Sequence, residues 1–283
     1  MGGRVFLITG TSSGLGEEYV KKVLSAGDKV VAASRNSSKL SFPGTTADNY
    51  LAVDLDVTDK SSIDAAFEKS LAKFGRVDVV CNNAGYGLAG EFESLSEKQI
   101  RTLMEVNFFG LMNVTRKAME VMRSQKPSGG LIQQVTSIGG QSSVPTFSIY
   151  CASKWAVEGF TEGVQGEVKP EWGIKFTLIE PGGFRTQFAG GSITFAENKN
   201  EAYDHINVEK ATKERNGTQA GDPVKGAAAF YELAVMDNPP LRCALGSDAY
   251  AMLNKKIQDY GKNVMKYEKL SLSTDVDGFK PPA

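Results

Sequence analysis

The sequence predicts an α/β fold: a single doubly wound parallel sheet with helices on both faces, in one domain over residues 1–283. Three observations predict it. Short apolar runs alternate with segments of helical period. The first run ends in a glycine-rich turn, Thr9-Gly10-Thr11-Ser12-Ser13-Gly14-Leu15-Gly16, that opens a helix. The chain has 283 residues, 41% of them hydrophobic, which fills one large core and leaves no case for disorder.

The elements follow in order. Residues 4–9 (RVFLIT) are a mostly apolar run of the kind buried on both faces of a parallel sheet. Residues 15–26 place Leu15, Tyr19, Val23 and Leu24 at helical spacing and stop at Gly27. Strands are expected at 29–33 and, after a polar loop with Pro43 and Gly44, at 50–54. Residues 59–74 are amphipathic, with Ile63, Phe67 and Leu71 on one face, Asp59 as N-cap and Gly75 as stop. A fourth strand at 77–81 closes on Asn82-Asn83-Ala84-Gly85. A long helix over 97–125, bent near Gly110, precedes a strand at 131–136. The helix over 148–168 ends before Pro170, and the strand over 174–180 ends at Pro181-Gly182-Gly183. A helix at 224–236 and a strand at 241–245 complete the alternation.

Two segments break that rhythm. Residues 187–221 form a polar, glycine-containing run without an expected element, and so long an irregular segment in a compact domain is expected to be a substrate lid. A surface insertion is the alternative. Residues 249–275 form a helical extension, with Leu253, Ile257, Tyr260, Val264 and Tyr267 at helical period, expected to pack on the domain or on a partner.

Composition excludes several function classes. Lysine plus arginine total 32 against 33 acids, which gives no footprint for nucleic acid. No apolar run is long enough to span a bilayer, and the start Met1-Gly2-Gly3-Arg4-Val5 lacks the features of a signal peptide. Cys81, Cys151 and Cys243 form no C-x-x-C pair, which suits a reducing, cytoplasmic setting. His205 is the sole histidine, so a His-rich metal site is excluded and a Ser-His-Asp hydrolase is disfavoured.

The glycine turn brings backbone N–H groups towards a pyrophosphate at a helix N-terminus. Gly10 makes the tight turn, Gly14 lets the backbone approach the ligand, and Gly16 lets the helix pack close to the sheet. Ser12, Ser13 and Leu15 complete the cradle. A plain strand-to-helix turn is the alternative. At the end of the second strand stands Ser34-Arg35-Asn36, with no acid to bind a ribose 2′-hydroxyl. A guanidinium there favours a 2′-phosphate, hence NADP(H). Asp56 and Val57, just past the third strand, suit the adenine amino group and ring, and equally a loop acid and its neighbour.

Tyr150 and Lys154 lie one helical turn apart, and Ser137 lies thirteen residues upstream of the tyrosine. A phenol with a pKa near 10 is a poor acid–base group alone. A lysine ammonium nearby favours its phenolate and can hold a ribose, while a serine hydroxyl can hold a substrate oxygen.

These motifs, in this order over residues 4–186, resemble the short-chain dehydrogenase/reductase family. The tail is more loosely similar to its 17β-hydroxysteroid and retinol dehydrogenase branch. The resemblance implies a Rossmann-type fold and a tetrad of Asn107, Ser137, Tyr150 and Lys154. In it Tyr150 is the acid/base, Ser137 orients the carbonyl, Lys154 lowers the tyrosine pKa and binds ribose, and Asn107 holds a relay water. It also implies that Asn83, Ala84 and Gly85 support the adenosine side, and that Pro181, Gly182, Phe184 and Thr186 hold the nicotinamide carboxamide. The reaction expected is interconversion of a ketone or aldehyde and an alcohol. The substrate is an apolar or bulky small molecule, given Phe147, Phe184, Phe188 and Phe195, and the chain is expected to form a homodimer or homotetramer. A non-catalytic dinucleotide-binding module on the same fold is the second reading.

Overall fold

A computed structural model describes residues 3–279; Met1-Gly2 of the expected N-terminal stretch and the last four residues of the expected domain lie outside them. The strands in chain order are β1 (Val5–Thr9), β2 (Lys29–Ser34), β3 (Tyr50–Asp54), β4 (Val79–Asn82), β5 (Gly87–Ala89), β6 (Gly130–Val135), β7 (Ile174–Pro181), β8 (Ile193–Phe195) and β9 (Arg242–Leu245). The main sheet runs β3-β2-β1-β4-β6-β7-β9, and every pairing is parallel. Chain order reverses between β1 and β4, so the crevice at their carboxyl ends is where a doubly wound sheet takes its ligand.

The helices are α1 (Gly14–Ser25), α2 (Lys60–Phe74), α3 (Glu97–Met104), α4 (Leu111–Ser124), α5 (Ser148–Glu167), α6 (Val208–Arg215), α7 (Pro223–Val235), α8 (Ser247–Lys266) and α9 (Glu268–Leu272). Alternate residues of β1 and β2 enter two different cores, which is why their sequences read as unbroken apolar runs. Phe6, Ile8, Val30 and Ala32 pack under Tyr19 and Val23 of α1 and Ala227 and Phe230 of α7. Val5, Leu7, Val31 and Ala33 pack under Ile63 and Phe67 of α2 and Val114 and Met122 of α4. α5 extends the second layer, with Val157 against Leu111 and Leu178. Asp59 caps α2 as expected, accepting the Ser61 N–H at 2.8 Å.

Three expectations change. The helix expected over 97–125 is α3 and α4 joined by a π-helical stretch, Glu105–Gly110. Gly110 lies so close to Val57 that a Cβ there would stand 2.6 Å from a valine methyl carbon, and the wider turn accommodates that approach. The segment 187–221 is not structureless. Within it β8 pairs parallel with β5, and α6 follows, capped by the Asn207 side chain on the Lys210 N–H. Finally, α8 forms as its period predicts, but most of the face expected to pack is bare: Ile257, Tyr260, Val264 and Tyr267 are all more than half exposed, and only Leu253 of that face is partly buried. Only its start is seated, where Ala249 is fully buried. Among the described residues no helix is long and apolar enough to cross a membrane.

Candidate active site

The carboxyl ends of β1, β2, β4, β6 and β7 open into one cleft of about 1560 Å³. That exceeds the volume of an ordinary small-ligand pocket and leaves room for a dinucleotide beside a substrate. The expected phosphate turn forms one end. Gly16 is buried beneath it, where a Cβ would stand 2.4 Å from the Gly10 carbonyl oxygen, so a side chain would push α1 off the sheet. Gly14 adopts φ +63°, and its open side faces Thr186. The turn is pinned from β4: Asn83 Nδ2 donates to the Thr9 and Gly10 carbonyls at 3.0 and 3.1 Å. Thr9 Oγ1 accepts the N–H groups of Asn83 and Ala84, at 3.0 Å each.

Gly10, Ser12, Ser13, Gly14, Leu15, Ser34, Arg35, Asp56, Val57, Asn83, Ala84 and Gly85 line this cleft, as do Pro181, Gly182, Phe184 and Thr186. Gly16 and Asn36 do not. Gly16 acts through packing, and Asn36 folds back, its N–H on Ser34 Oγ at 3.3 Å. Arg35 is exposed at the cleft edge and makes no ion pair among the described residues. Asp56 Oδ1 accepts the N–H and hydroxyl of Thr58 at 2.9 and 2.7 Å, so it is a loop acid that also borders the cleft.

At the other end Ser137, Tyr150 and Lys154 converge. Ser137 leaves β6 in an extended conformation, and its Oγ accepts the Gly139 N–H at 3.0 Å. The Ser137 and Tyr150 side chains face the same cleft as neighbours. Tyr150 stands between Phe147 and Phe188, with ring centroids 6.2 and 5.5 Å away. Burial pushes its phenol up to about 12, and the Ser137 hydroxyl pulls the other way. Lys154 Nζ lies 5.9 Å from the tyrosine ring centroid and donates to the Val135 carbonyl at 2.9 Å. Burial pulls its ammonium down to about 8, against the favourable charge of Glu158.

Asn107, in the π-helical stretch, is buried and off the cleft wall. Its amide clamps Tyr86, donating to the carbonyl at 2.9 Å and accepting the N–H at 3.1 Å. A point one bond above Gly85 Cα lies 3.1 Å from Asn107 Oδ1 and 3.7 Å from Lys154 Nζ, so the two groups border one gap. Of the four expected pocket phenylalanines, Phe147, Phe184 and Phe188 line the cleft, whereas Phe195 is held in β8.

Some residues that shape the site carry no motif. Asp248, in the first turn of α8, accepts the Gly183 N–H at 2.7 Å and anchors the Pro181-Gly182 loop. Glu158, one turn beyond Lys154 on α5, joins Thr136, Gln141, Glu180 and Arg242 beneath the site. The i+4 spacing from Lys154 was the one signal for Glu158; the others are distant in sequence.

A parallel sheet whose phosphate-type turn and tyrosine–lysine pair share a crevice defines a dinucleotide-dependent oxidoreductase. The family model for short chain dehydrogenase matches residues 4–195, and the chain belongs to the short-chain dehydrogenase/reductase family. It is 38% identical over 276 residues to an uncharacterized oxidoreductase of Schizosaccharomyces pombe, covering 97% of this chain and 93% of that one. A solved short-chain dehydrogenase from Streptomyces avermitilis matches with TM-score 0.86 and 38% identity, over 96% of this chain and 100% of the other. Two more distant solved members differ in cofactor. The alcohol dehydrogenase of Thermococcus sibiricus (26% identity, TM-score 0.68, 86% of this chain and 95% of that one) is complexed with 5-hydroxy-NADP. The 3-ketoacyl-(acyl-carrier-protein) reductase of Brucella melitensis (25%, TM-score 0.71, 86% and 97%) is complexed with NADH.

Proposed function

We propose that the protein is an NADP(H)-dependent reductase that interconverts a ketone or aldehyde and an alcohol, with Tyr150 as general acid/base. The observation that carries this reading is the convergence of Ser137, Tyr150 and Lys154 on the cleft that the phosphate turn opens. The glycine turn offers N–H groups to a pyrophosphate, and a side chain at Gly16 would displace it; the residues present therefore fit a dinucleotide. When bound, the nicotinamide supplies or accepts the hydride.

The protein's own groups do the rest. Ser137 holds the substrate oxygen beside the phenol. Tyr150, protonated at neutral pH because burial raises its pKa to about 12, donates the proton to that oxygen during reduction. Lys154 offers positive charge to the phenolate that remains and a donor to the cofactor ribose. Asn107 fixes Tyr86 beside Gly85, and a water in the gap it shares with Lys154 would complete a proton relay. Phe147 and Phe188 flank Tyr150 with apolar surface suited to a bulky substrate. A cytoplasmic homo-oligomer agrees with three free cysteines and with the exposed Phe109 and Trp155.

The cofactor assignment rests on Ser34 and Arg35 at the end of β2. A charge-assisted arginine contact is worth about 1.5–3 kcal/mol, so NADPH is expected to be favoured roughly ten- to a hundredfold over NADH. Arg35→Ala should weaken NADPH while barely touching NADH, and Ser34→Asp should repel the phosphate and offer NADH a ribose partner. The measurement is kcat/KM for both cofactors in all three proteins, over a panel of ketones. Preference for NADH in the unsubstituted protein sinks the cofactor assignment and leaves the reaction standing; no turnover with any ketone sinks the reaction.

Residues 187–221 act as a lid whose two halves differ. The first half is tied down by β8 on β5 and by Gln99 Nε2 donating to the Phe195 carbonyl at 2.8 Å. The second half carries α6, of which only Thr212 is buried. Limited proteolysis is expected to cut between residues 200 and 219 and to slow once NADPH and substrate are added. Equal cutting with and without ligands would make the segment a fixed surface insertion.

A further inference from the structure

Beneath the catalytic groups lie two buried carboxylates with a single cation between them. Glu158 Oε1 accepts the Thr136 hydroxyl at 2.7 Å, and its Oε2 accepts Gln141 Nε2 at 3.0 Å and Arg242 Nε at 2.9 Å. Glu180, fully buried at the end of β7, accepts Gln141 Nε2 on Oε1 at 3.0 Å. Its Oε2 is buried and has no donor. Arg242 Nε is 3.9 Å from Glu180, and the same guanidinium also serves the exposed Glu162 on α5. The other ionisable groups that face the pair are Lys154, one turn back on α5 and committed to the Val135 carbonyl, and the Cys243 thiol on β9, itself pushed up by burial.

One guanidinium cannot neutralise two desolvated carboxylates. The two carboxylates share the Gln141 amide and the Arg242 guanidinium, and the orphaned buried oxygen of Glu180 is the position of a proton, because protonation turns the orphan acceptor into a donor. The elements joined at this point are those that carry the chemistry. Thr136 adjoins Ser137, Glu158 follows Lys154 on α5, and Glu180 adjoins Pro181.

We propose that Glu158 and Glu180 share one proton on Arg242, and that this buried pair is the positioning element that holds Ser137, the Tyr150–Lys154 turn and the Pro181-Gly182 loop in register. Its catalytic consequence rests on the reductase reading above; the shared proton does not. Burial, and then the Glu158 charge, push Glu180 up to about 7. The unfolded chain titrates that carboxyl near 4.3, so the folded state holds the extra proton between the two values. The stability this confers is therefore full below about pH 4.3 and lost as pH rises through about 7. Above that, two charges face each other beneath Lys154 and the site loosens.

The test uses Glu180→Gln, whose amide donates to Glu158 at every pH, and Glu158→Gln. Tm measured from about pH 5 to pH 8 should fall in the unsubstituted protein and be flatter in Glu180→Gln. The loss of kcat for ketone reduction between pH 6 and 8 should shrink in Glu180→Gln. In Glu158→Gln the alkaline limb of kcat should move down by about one pH unit, since Lys154 loses a nearby negative charge, with KM little changed. Infrared difference spectra between pH 6 and 8 on the unsubstituted protein should show a carboxylic acid carbonyl lost with pH, which keeps the idea testable should a variant fail to fold. An unchanged Tm slope in Glu180→Gln, or no titrating acid carbonyl, overturns the shared proton. Unchanged kcat profiles in both variants overturn the positioning role. A protein that reduces no ketone sinks the reaction reading alone, because the Tm and infrared measurements still decide the proton.

Discussion

Replacing Tyr150 with phenylalanine is expected to lower kcat by about 10²–10⁴-fold, the usual contribution of a positioned acid–base group. NADPH affinity should stay within a factor of about two, a margin well under the roughly tenfold that 1.4 kcal/mol represents. The substitution removes one hydroxyl and keeps the ring between Phe147 and Phe188, so packing on both sides survives. The turnover lost is then attributable to proton transfer. The phenol is neutral at working pH, pushed up to about 12 by burial, which equips it to donate during reduction. Stopped-flow reduction and fluorescence titration of NADPH separate the two quantities. A variant that keeps most of its kcat would sink the mechanism, and one that loses NADPH binding would place the hydroxyl in the cofactor site instead.

Lys154→Ala should damage both steps. Loss of a charged donor to the ribose weakens NADPH roughly ten- to a hundredfold. Loss of the ammonium beside the phenol lowers kcat further, on the order of 10²-fold. The variant also carries a stability signature. Burial pulls the folded ammonium down to about 8, whereas the unfolded chain holds it near 10.4. The unfolded state binds more protons between those values, so Lys154 contributes most to stability above about pH 10.4, and that contribution is lost as pH falls through about 8. Alanine removes this dependence, and Tm at neutral pH should rise while activity falls. A fall in kcat with unchanged NADPH affinity removes the ribose contact and keeps the electrostatic one. An alanine variant less stable at neutral pH would show that the hydrogen bond to Val135 outweighs the cost of burying the charge.

Most of the central frame was legible because its signals are local. The apolar runs of β1 and β2 announce a strand buried on two faces, and the structure gives each face its own core. Asp59 two residues before Ser61, with Gly75 at the far end, delimits α2 without reference to any other part of the chain. The missed elements lack such signals. β8 is three residues long, too short to show alternation, and exists because β5 offers it a parallel partner far away in sequence. α6 buries only Thr212, so it presents no apolar stripe to read. In the long helix before β6 the bend near Gly110 was legible, but its π-helical form was not, because the close approach at Gly110 comes from Val57, more than fifty residues earlier.

The doubly wound frame, the glycine turn, and the tyrosine and lysine one helical turn apart can all be read along the chain, since propensity, period and spacing within one element need no partner. Tertiary structure decided the rest. It brought Ser137 to the phenol, buried Lys154 until its ammonium fell to about 8, and turned Asn107 from the cleft wall to clamp Tyr86. It also gathered Glu158, Glu180, Gln141 and Arg242 from separate elements into one buried cluster. The physical reason is that desolvation and charge pairing depend on distances between atoms remote in the chain. A carboxylate in a sequence has its ordinary pKa until the fold decides what surrounds it.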